Sequence, residues 1–217
     1  MKENLSIEQL EKDYWKDYDF ETDLVKNCYD LRKVPIKNLK PENIRLLIGQ
    51  NIGVNYILRI TFNILEKNPL IDSEFYEGDL LVTLIDYFTK YPNRNQELKL
   101  FKILLDFPEN FDDRKVNSKV NSFLKKFNSF GENLSNIVFT SRFVIEDNKE
   151  ITLVSQDKED GAWQFLSSDK IENFENDARL VSLREILKLD ESILEIGNVE
   201  IGQIAQRKNK KDKWKLN

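Results

Sequence analysis

Carboxylates supply most of the chemistry open to this chain of 217 residues, because it has no histidine and a single cysteine, Cys28. The missing imidazole removes Ser-His and Cys-His catalysis and the commonest transition-metal ligand together. Two stretches gather acids around aromatic rings: Asp72, Glu74, Glu77 and Asp79 beside Phe75 and Tyr76, and Asp157, Glu159 and Asp160 beside Trp163. Paired acids hydrolyse glycosides when suitably separated, but that separation is not readable from spacing and nothing singles out one pair. A metal-dependent nuclease needs converging carboxylates with a lysine, of which Asp86 and Glu97-Leu98-Lys99 give only an outline. Glu97 and Lys99 fall in a helical stretch, where residues two apart face different directions. Surface charges on helices are the expected state of these residues, and no metal or cofactor is expected.

Cys28 recurs with Leu24 and Leu31 at helical spacing, so a small core side chain is expected there rather than a nucleophile. Trp163 has two readings. In Asp160-Gly161-Ala162-Trp163-Gln164-Phe165-Leu166, a turn leads into a strand that sets Trp163 and Phe165 on one face, which suits a core. An exposed Trp163 beside Asp157, Glu159 and Asp160 would instead anchor an interface.

The formal net charge is −5 and the pI about 5.1. That balance opposes binding to nucleic acid and anionic lipid and suits a basic protein partner. No apolar run nears the roughly 20 residues that span a bilayer, and the opening MKENLSIEQLEKD carries no apolar leader segment, so a cytoplasmic location is expected.

The elements that position these residues begin around a joint, LLIGQNIGVNYIL, from Leu46 to Leu58. Gly49 and Gly53 interrupt a hydrophobic run, which predicts two helices meeting there, one opened by Pro41 and stopped at Gly49, the next capped by Asn51. Gln50 and Asn51 need hydrogen-bond partners if the joint buries them. A phosphate-binding turn is disfavoured, because Val54 and Asn55 follow where a P-loop requires Lys and Ser or Thr. In the second helix Ile57, Ile60, Ile64 and Leu65 share the expected inward face, up to a stop at Pro69.

Ser6 and Gln9 form a capping box for an opening helix carrying Ile7, Leu10, Tyr14 and Trp15. An acidic connector (Asp17, Asp19, Glu21, Asp23) leads to a second helix ending near Lys33. Further helices are expected from Leu80, capped by Asp79, to Lys90, after Asn93, and after Asp113. The last is strongly amphipathic, with Val116, Val120, Phe123, Leu124 and Phe127 opposite Lys115, Lys119, Lys125 and Lys126, the lysines reading as a solvated face. After Ser129 the period changes to that of strands. Ile137–Ile145 and Ile151–Ser155 read as a hairpin around Asp147 and Asn148, followed by strands at Ala162–Leu166 and Arg179–Ser182. Ser182 and Glu185 cap a short helix, Asp190 a further turn, and Ile201–Leu216 closes the sheet as a second hairpin. The expected fold class is α+β: an all-α helical domain over residues 1–132, of which 91–132 is a variable helical extension, then a small antiparallel-sheet domain over 133–217 with one or two short helices.

Three blocks in the first 90 residues, LEKDYWKDYDFETDLVKNCYDLRKVPI, IRLLIGQNIGVNYI and NPLIDSEFYEGDLL, resemble in order and spacing the immunity proteins of bacterial contact-dependent growth-inhibition systems. The second half, through IVFTSRFVIEDNKEITLVSQDKEDGAWQFL and ARLVSLREILKLDESILEI, resembles a small α+β domain found among immunity proteins of polymorphic toxin systems. The resemblance implies a protein that binds and neutralises a cognate toxin domain, and it brings no catalytic residues. It also implies that the toxin is often a nuclease, whose electropositive cleft carboxylates can fill as phosphate mimics. On that footing the expected toxin-binding residues are Asp72, Glu74, Phe75, Tyr76, Glu77, Asp157, Glu159, Asp160 and Trp163. Asp72, Glu74, Asp157 and Glu159 stand out because no local structural duty is evident for them. Gly49, Gln50, Asn51 and Gly53 are expected to form a structural joint. A non-catalytic adaptor, and behind it a carboxylate-dependent hydrolase, are the competing functions.

Overall fold

The computed structural model describes every residue except 1, 17–19, 21, 109–110 and 132. The acidic connector therefore lies outside the described residues apart from Asp23. Helices come first and strands afterwards, as expected for the α+β class, and the chain divides into two compact units, Met1–Phe123 and Leu124–Asn217.

The first unit is helical. Helix α1 (Ile7–Glu11) starts from the expected capping box, in which the Ser6 N–H donates to Gln9 Oε1 at 2.9 Å and the Gln9 N–H to Ser6 Oγ at 3.4 Å. It ends before Tyr14 and Trp15. Helix α2 (Asp23–Arg32) is capped by Thr22 and buries Cys28, and burial pushes that thiol's pKa up, away from a reactive thiolate. Arg32, also buried, pairs with Glu11 at 2.6 Å and Asp13 at 3.2 Å and lies 4.1 Å over the Trp15 ring, which fastens the chain after α1 to the end of α2.

Helix α3 (Pro41–Gly49) has its proline in the first turn, as expected, and buries Ile44, Leu47 and Ile48. Helix α4 (Val54–Lys67) begins at Gly53, not at an Asn51 cap. The chain turns through left-handed conformations at both residues, with φ of 55° at Asn51 and 58° at Gly53. Asparagine tolerates that region as a single residue, so Asn51 contributes backbone geometry where a side-chain bond was expected. Gln50 and Asn51 are exposed, and the joint's N–H groups are satisfied by backbone carbonyls: Gln50 to Leu46 at 3.0 Å, Asn51 to Ile48 at 3.0 Å, Ile52 to Leu47 at 2.9 Å. The inward face of α4 is Val54, Ile57, Leu58, Thr61, Phe62 and Leu65, while Ile60 and Ile64 are only half-buried at its margins. Its phase is set by the partner helices, which rotate it from the stripe that the isoleucines alone suggest.

Helices α5 (Asp79–Lys90), α6 (Arg94–Leu104) and α7 (Arg114–Phe127) complete the helical run. All five apolar residues of the α7 stripe are buried. Its lysines are not uniformly solvated, because Lys119 is ion-paired with Asp86 and the Lys115 ammonium sits 5.0 Å from the Tyr76 ring centre.

The second unit holds a six-stranded sheet in the order β4-β1-β3-β2-β5-β6. Strand β1 (Ile137–Ser141) gives way at once to a one-turn helix, α8 (Arg142–Ile145), where a continuing strand was expected. Arg142 explains the switch: its guanidinium reaches Asp147 at 3.2 Å and Asp177 at 2.9 Å, contacts that a straight strand would carry it away from. Strand β2 (Leu153–Gln156) consequently does not pair with β1. It forms an antiparallel hairpin with β3 (Trp163–Leu166), and β3 lies between them, parallel to β1. The sheet is therefore mixed, with one parallel pairing in an otherwise antiparallel ladder. After α9 (Phe174–Asp177), strand β4 (Ala178–Ser182) runs antiparallel to β1 as an edge, and Ser182 with Glu185 caps α10 (Leu183–Leu189) by the expected box. Asp190 caps the 3-10 helix Glu191–Ile196 through the Ser192 N–H at 3.0 Å. Strands β5 (Ile204–Gln206) and β6 (Lys215–Leu216) form the closing hairpin. Among the described residues, α8, α9, α10 and the 3-10 helix are the short helices that accompany the sheet.

One face of this sheet carries Val138, Thr140, Val154, Trp163, Phe165 and Ala205, all buried. Phe130 packs edge-on against Trp163 and Phe165, with ring centres 4.8 and 5.7 Å away. Burying a side chain of this size stabilises by about 1.5–3 kcal/mol, so this layer is the unit's principal core.

Candidate functional site

The acidic stretch of the helical unit is a closed loop between α4 and α5, with backbone bridging between Asp72 and Glu77. Asp79 organises it. This residue was expected to cap α5, but Gly78 occupies the cap and Asp79 is the first helical residue, 2% exposed, with its carboxylate turned back into the loop. There it accepts the Ser73 N–H at 3.0 Å, the Phe75 N–H at 3.1 Å and the Ser73 hydroxyl. A buried carboxylate needs such donors, and it is stabilised further at a helix N-terminus, so the loop takes its shape from satisfying Asp79.

Arg45, from α3, holds the loop's outer side. Its guanidinium lies 4.2 Å from the Phe75 ring centre, its Nε is 3.5 Å from Asp79 Oδ2, and it is ion-paired with Glu74. Phe75 remains 66% exposed despite this stacking. Asp72 accepts the Glu74 N–H at 3.0 Å. Asp72 and Glu74 thus have local duties, against expectation, while the exposed Glu77 carries none of these. The loop presents Asp72, Glu74, Phe75 and Glu77 to solvent, with Tyr76 half-buried.

The second acidic stretch joins β2 to β3 in the other unit. Asp157 also has local duties: it accepts the Glu159 N–H at 2.8 Å and the Gln164 side-chain amide at 3.1 Å. Asp160 accepts the Ala162 N–H at 2.9 Å. Glu159 and Asp160 are exposed, but Trp163 is 5% exposed and faces the core. The interface-anchor reading of Trp163 is overturned, because strand alternation turns its ring inward against Phe130.

At the joint, a Cβ on Gly53 would lie 2.7 Å from Ile7 Cδ1 and Cγ2, closer than side-chain carbons approach one another. Gly49 differs, since a Cβ there would meet only Thr83 Cγ2 at 3.9 Å, an ordinary contact. The reversal is therefore fixed at Gly53 and Asn51.

Asp86, Glu97 and Lys99 do not assemble a site: Asp86 pairs with Lys119, Glu97 is buried and Lys99 is exposed. Among the described residues no group of three His, Cys, Asp or Glu side chains is placed to hold a metal ion, and no helix is long and apolar enough to cross a membrane. A groove of about 660 Å³ runs between α4 and α6, floored by Leu58, Phe62 and Ile103 and edged by charges of both signs, including Arg59, Lys99 and Glu66.

Sequence reasoning missed Arg45 and Ser73. Neither carries a spacing signal, since Arg45 lies 29 positions from Glu74 and meets the loop only through the packing of α3 against α5.

The helical unit is thus built around a glycine joint and carries an acidic-aromatic loop ordered by Asp79 and Arg45. The comparison with protein families gives it a place: residues 9–100 match the model of the CDI immunity proteins. That stretch contains α2 to α5, the joint and the Asp72–Asp79 loop, and it is where the three sequence blocks lie. The match supports an immunity role and, with it, a cognate toxin as partner. No curated protein and no solved structure matches the chain.

Proposed function

We propose that this protein binds a cognate toxin domain and neutralises it in the cytoplasm by covering the toxin's active site, without chemistry of its own. The observation that carries the reading is the family match over residues 9–100. The acidic composition and the solvent-facing carboxylates of the two loops support a basic partner, and a nuclease is the toxin class that fits best, because its cleft must hold phosphates. On this reading Asp72, Glu74, Phe75, Tyr76 and Glu77 meet the toxin, joined by Asp157, Glu159 and Asp160.

Growth rescue tests the proposal. On this reading the cognate toxin domain is encoded immediately upstream; it is expressed with and without this chain, and full survival with the chain, together with inhibition of the purified toxin's activity at near-equimolar ratio, is the expected result. Continued killing at full expression of a folded protein would remove the immunity reading and leave the adaptor.

A further inference from the structure

The second face of the six-stranded sheet is apolar and open. Cross-strand neighbours share a face, so the register carries one row across the strands: Leu180 opposite Phe139, Phe139 beside Gln164, Gln164 opposite Ser155, and Ser155 opposite Ile204, with Leu166 opposite Leu153 one pleat further along. Ile137 lies on the same face two residues before Phe139. This is the side away from Val138, Thr140 and Phe165, and three apolar residues on or against it stand in solvent: Ile137 is 64%, Leu180 71% and Phe174 67% exposed. Phe174, from α9, stacks its ring on Phe139 with centres 5.4 Å apart and planes 8° from parallel, which extends the apolar surface outward from the sheet. Isolated exposed apolar residues are ordinary, but a contiguous patch across two strands and a helix marks an interaction surface.

The charges around the patch say what kind of partner fits. Residues 137–182, which supply β1 to β4 and the loops beside this face, hold ten Asp and Glu against five Arg and Lys. Glu172 and Glu175 flank Phe174 and are exposed, and Asp157 borders the face through its bond with Gln164. Within that set Arg142 is paired with Asp147 and Asp177, and Arg179 with Glu146, so those charges offset one another and the acidic surplus rests on the remaining carboxylates, Glu172 and Glu175 among them. An apolar centre with an acidic frame is complementary to a basic protein surface. A two-fold contact between copies of this chain would set the same acidic frame against itself, so self-association is disfavoured by the same charges.

We propose that this sheet face, centred on Ile137, Phe139, Phe174 and Leu180 and framed by Glu172 and Glu175, is a docking surface for the basic toxin domain. The inference rests on the toxin reading above and adds to it a contact in the second unit, outside the family-matched stretch, with Asp157 at its border.

The test uses the full chain and a catalytically inactive form of the toxin domain encoded immediately upstream. Leu180→Lys combined with Phe174→Ala is expected to raise the toxin Kd by at least about tenfold with an unchanged Tm, as removal of central apolar anchors does. Leu24→Lys, which alters another exposed leucine, on α2, is expected to leave binding as in wild type. If the lysine variant lowers Tm, Leu180→Ala and Phe174→Ala singly replace it, each expected to weaken binding at unchanged Tm. Wild-type affinity in the folded variants overturns the sheet face while the toxin reading stands. A wild-type chain that neither binds the toxin domain nor protects against it overturns the toxin reading, and this inference with it. A wild-type dimer that Leu180→Lys turns into a monomer also overturns the proposal, because the face is then occupied by a second copy.

Discussion

At Gly53 the positive φ and the Ile7 side chain 2.7 Å from any added Cβ act together, so the position excludes other residues on two independent grounds. Gly53→Val is expected to cost more than about 1 kcal/mol, from backbone strain and from overpacking where Ile7 cannot withdraw. Thermal melting of the folded variant measures it. A Gly53→Val protein that melts like wild type while losing only its partner would assign the residue to binding instead. The need for glycine here was legible in the sequence, because two glycines interrupt an otherwise continuous apolar run. The identity of the residue that enforces it was not, since Ile7 is brought there by tertiary packing from 46 positions away. Asp79 teaches the same limit in another form. Its place at a helix start was readable, but whether its carboxylate turns to the helix or to the loop depends on which buried N–H groups lack partners, and those of Ser73 and Phe75 decide it.

Among the elements, most local signals were read correctly, the Asn51 and Asp79 caps excepted, and long-range pairings were not. The capping boxes of α1 and α10 and the Asp190 cap depend on residues three or fewer apart, and the structure has all of them. The β1–β3 pairing is set by residues about 25 apart, and the break after β1 by an ion pair 35 positions long, so neither leaves a mark in a local window. That ion pair makes a pH-dependent element. The Arg142 guanidinium holds the Asp177 carboxyl below its ordinary value, helped by the Asn173 and Glu172 N–H groups, despite the opposing effect of burial. A carboxyl whose folded pKa is depressed contributes stability that is complete above the unfolded value and is lost as pH falls through the folded one. With an ordinary value of 3.8, the contribution is present at neutral pH and fades only in stronger acid. Asp177→Asn should therefore melt below wild type at neutral pH, and the gap between them should close as pH drops beneath about 3.8, the ordinary value of this carboxyl. Melting curves across that range check it, and a gap that stays constant into acid would show that the ion pair contributes nothing through ionisation.

The molecule as a whole places an acidic loop in each of its units, and the proposed function assigns toxin contacts to both. Charge reversal separates the two if it avoids carboxylates with structural duties, since Glu74 holds Arg45 and Asp157 holds Gln164. Glu77→Lys tests the loop before α5, and Glu159→Lys tests the β2–β3 turn, with no buried bond disturbed in either. A loop that faces an electropositive cleft adds to long-range attraction, so its reversal should slow toxin association several-fold at low salt. The effect should shrink toward wild type as ionic strength rises to about 0.5 M, where screening falls well inside 10 Å. Dissociation, governed by close contacts, should change less. Association rates measured across a salt series for the two variants then give three distinguishable results: slowing in Glu77→Lys alone assigns the contact to the family-matched helical unit, slowing in Glu159→Lys alone assigns it to the sheet unit beside the apolar face, and slowing in both requires a toxin that spans the two. Rates that match wild type in both variants at low salt, with growth protection intact, would remove acidic steering from the account.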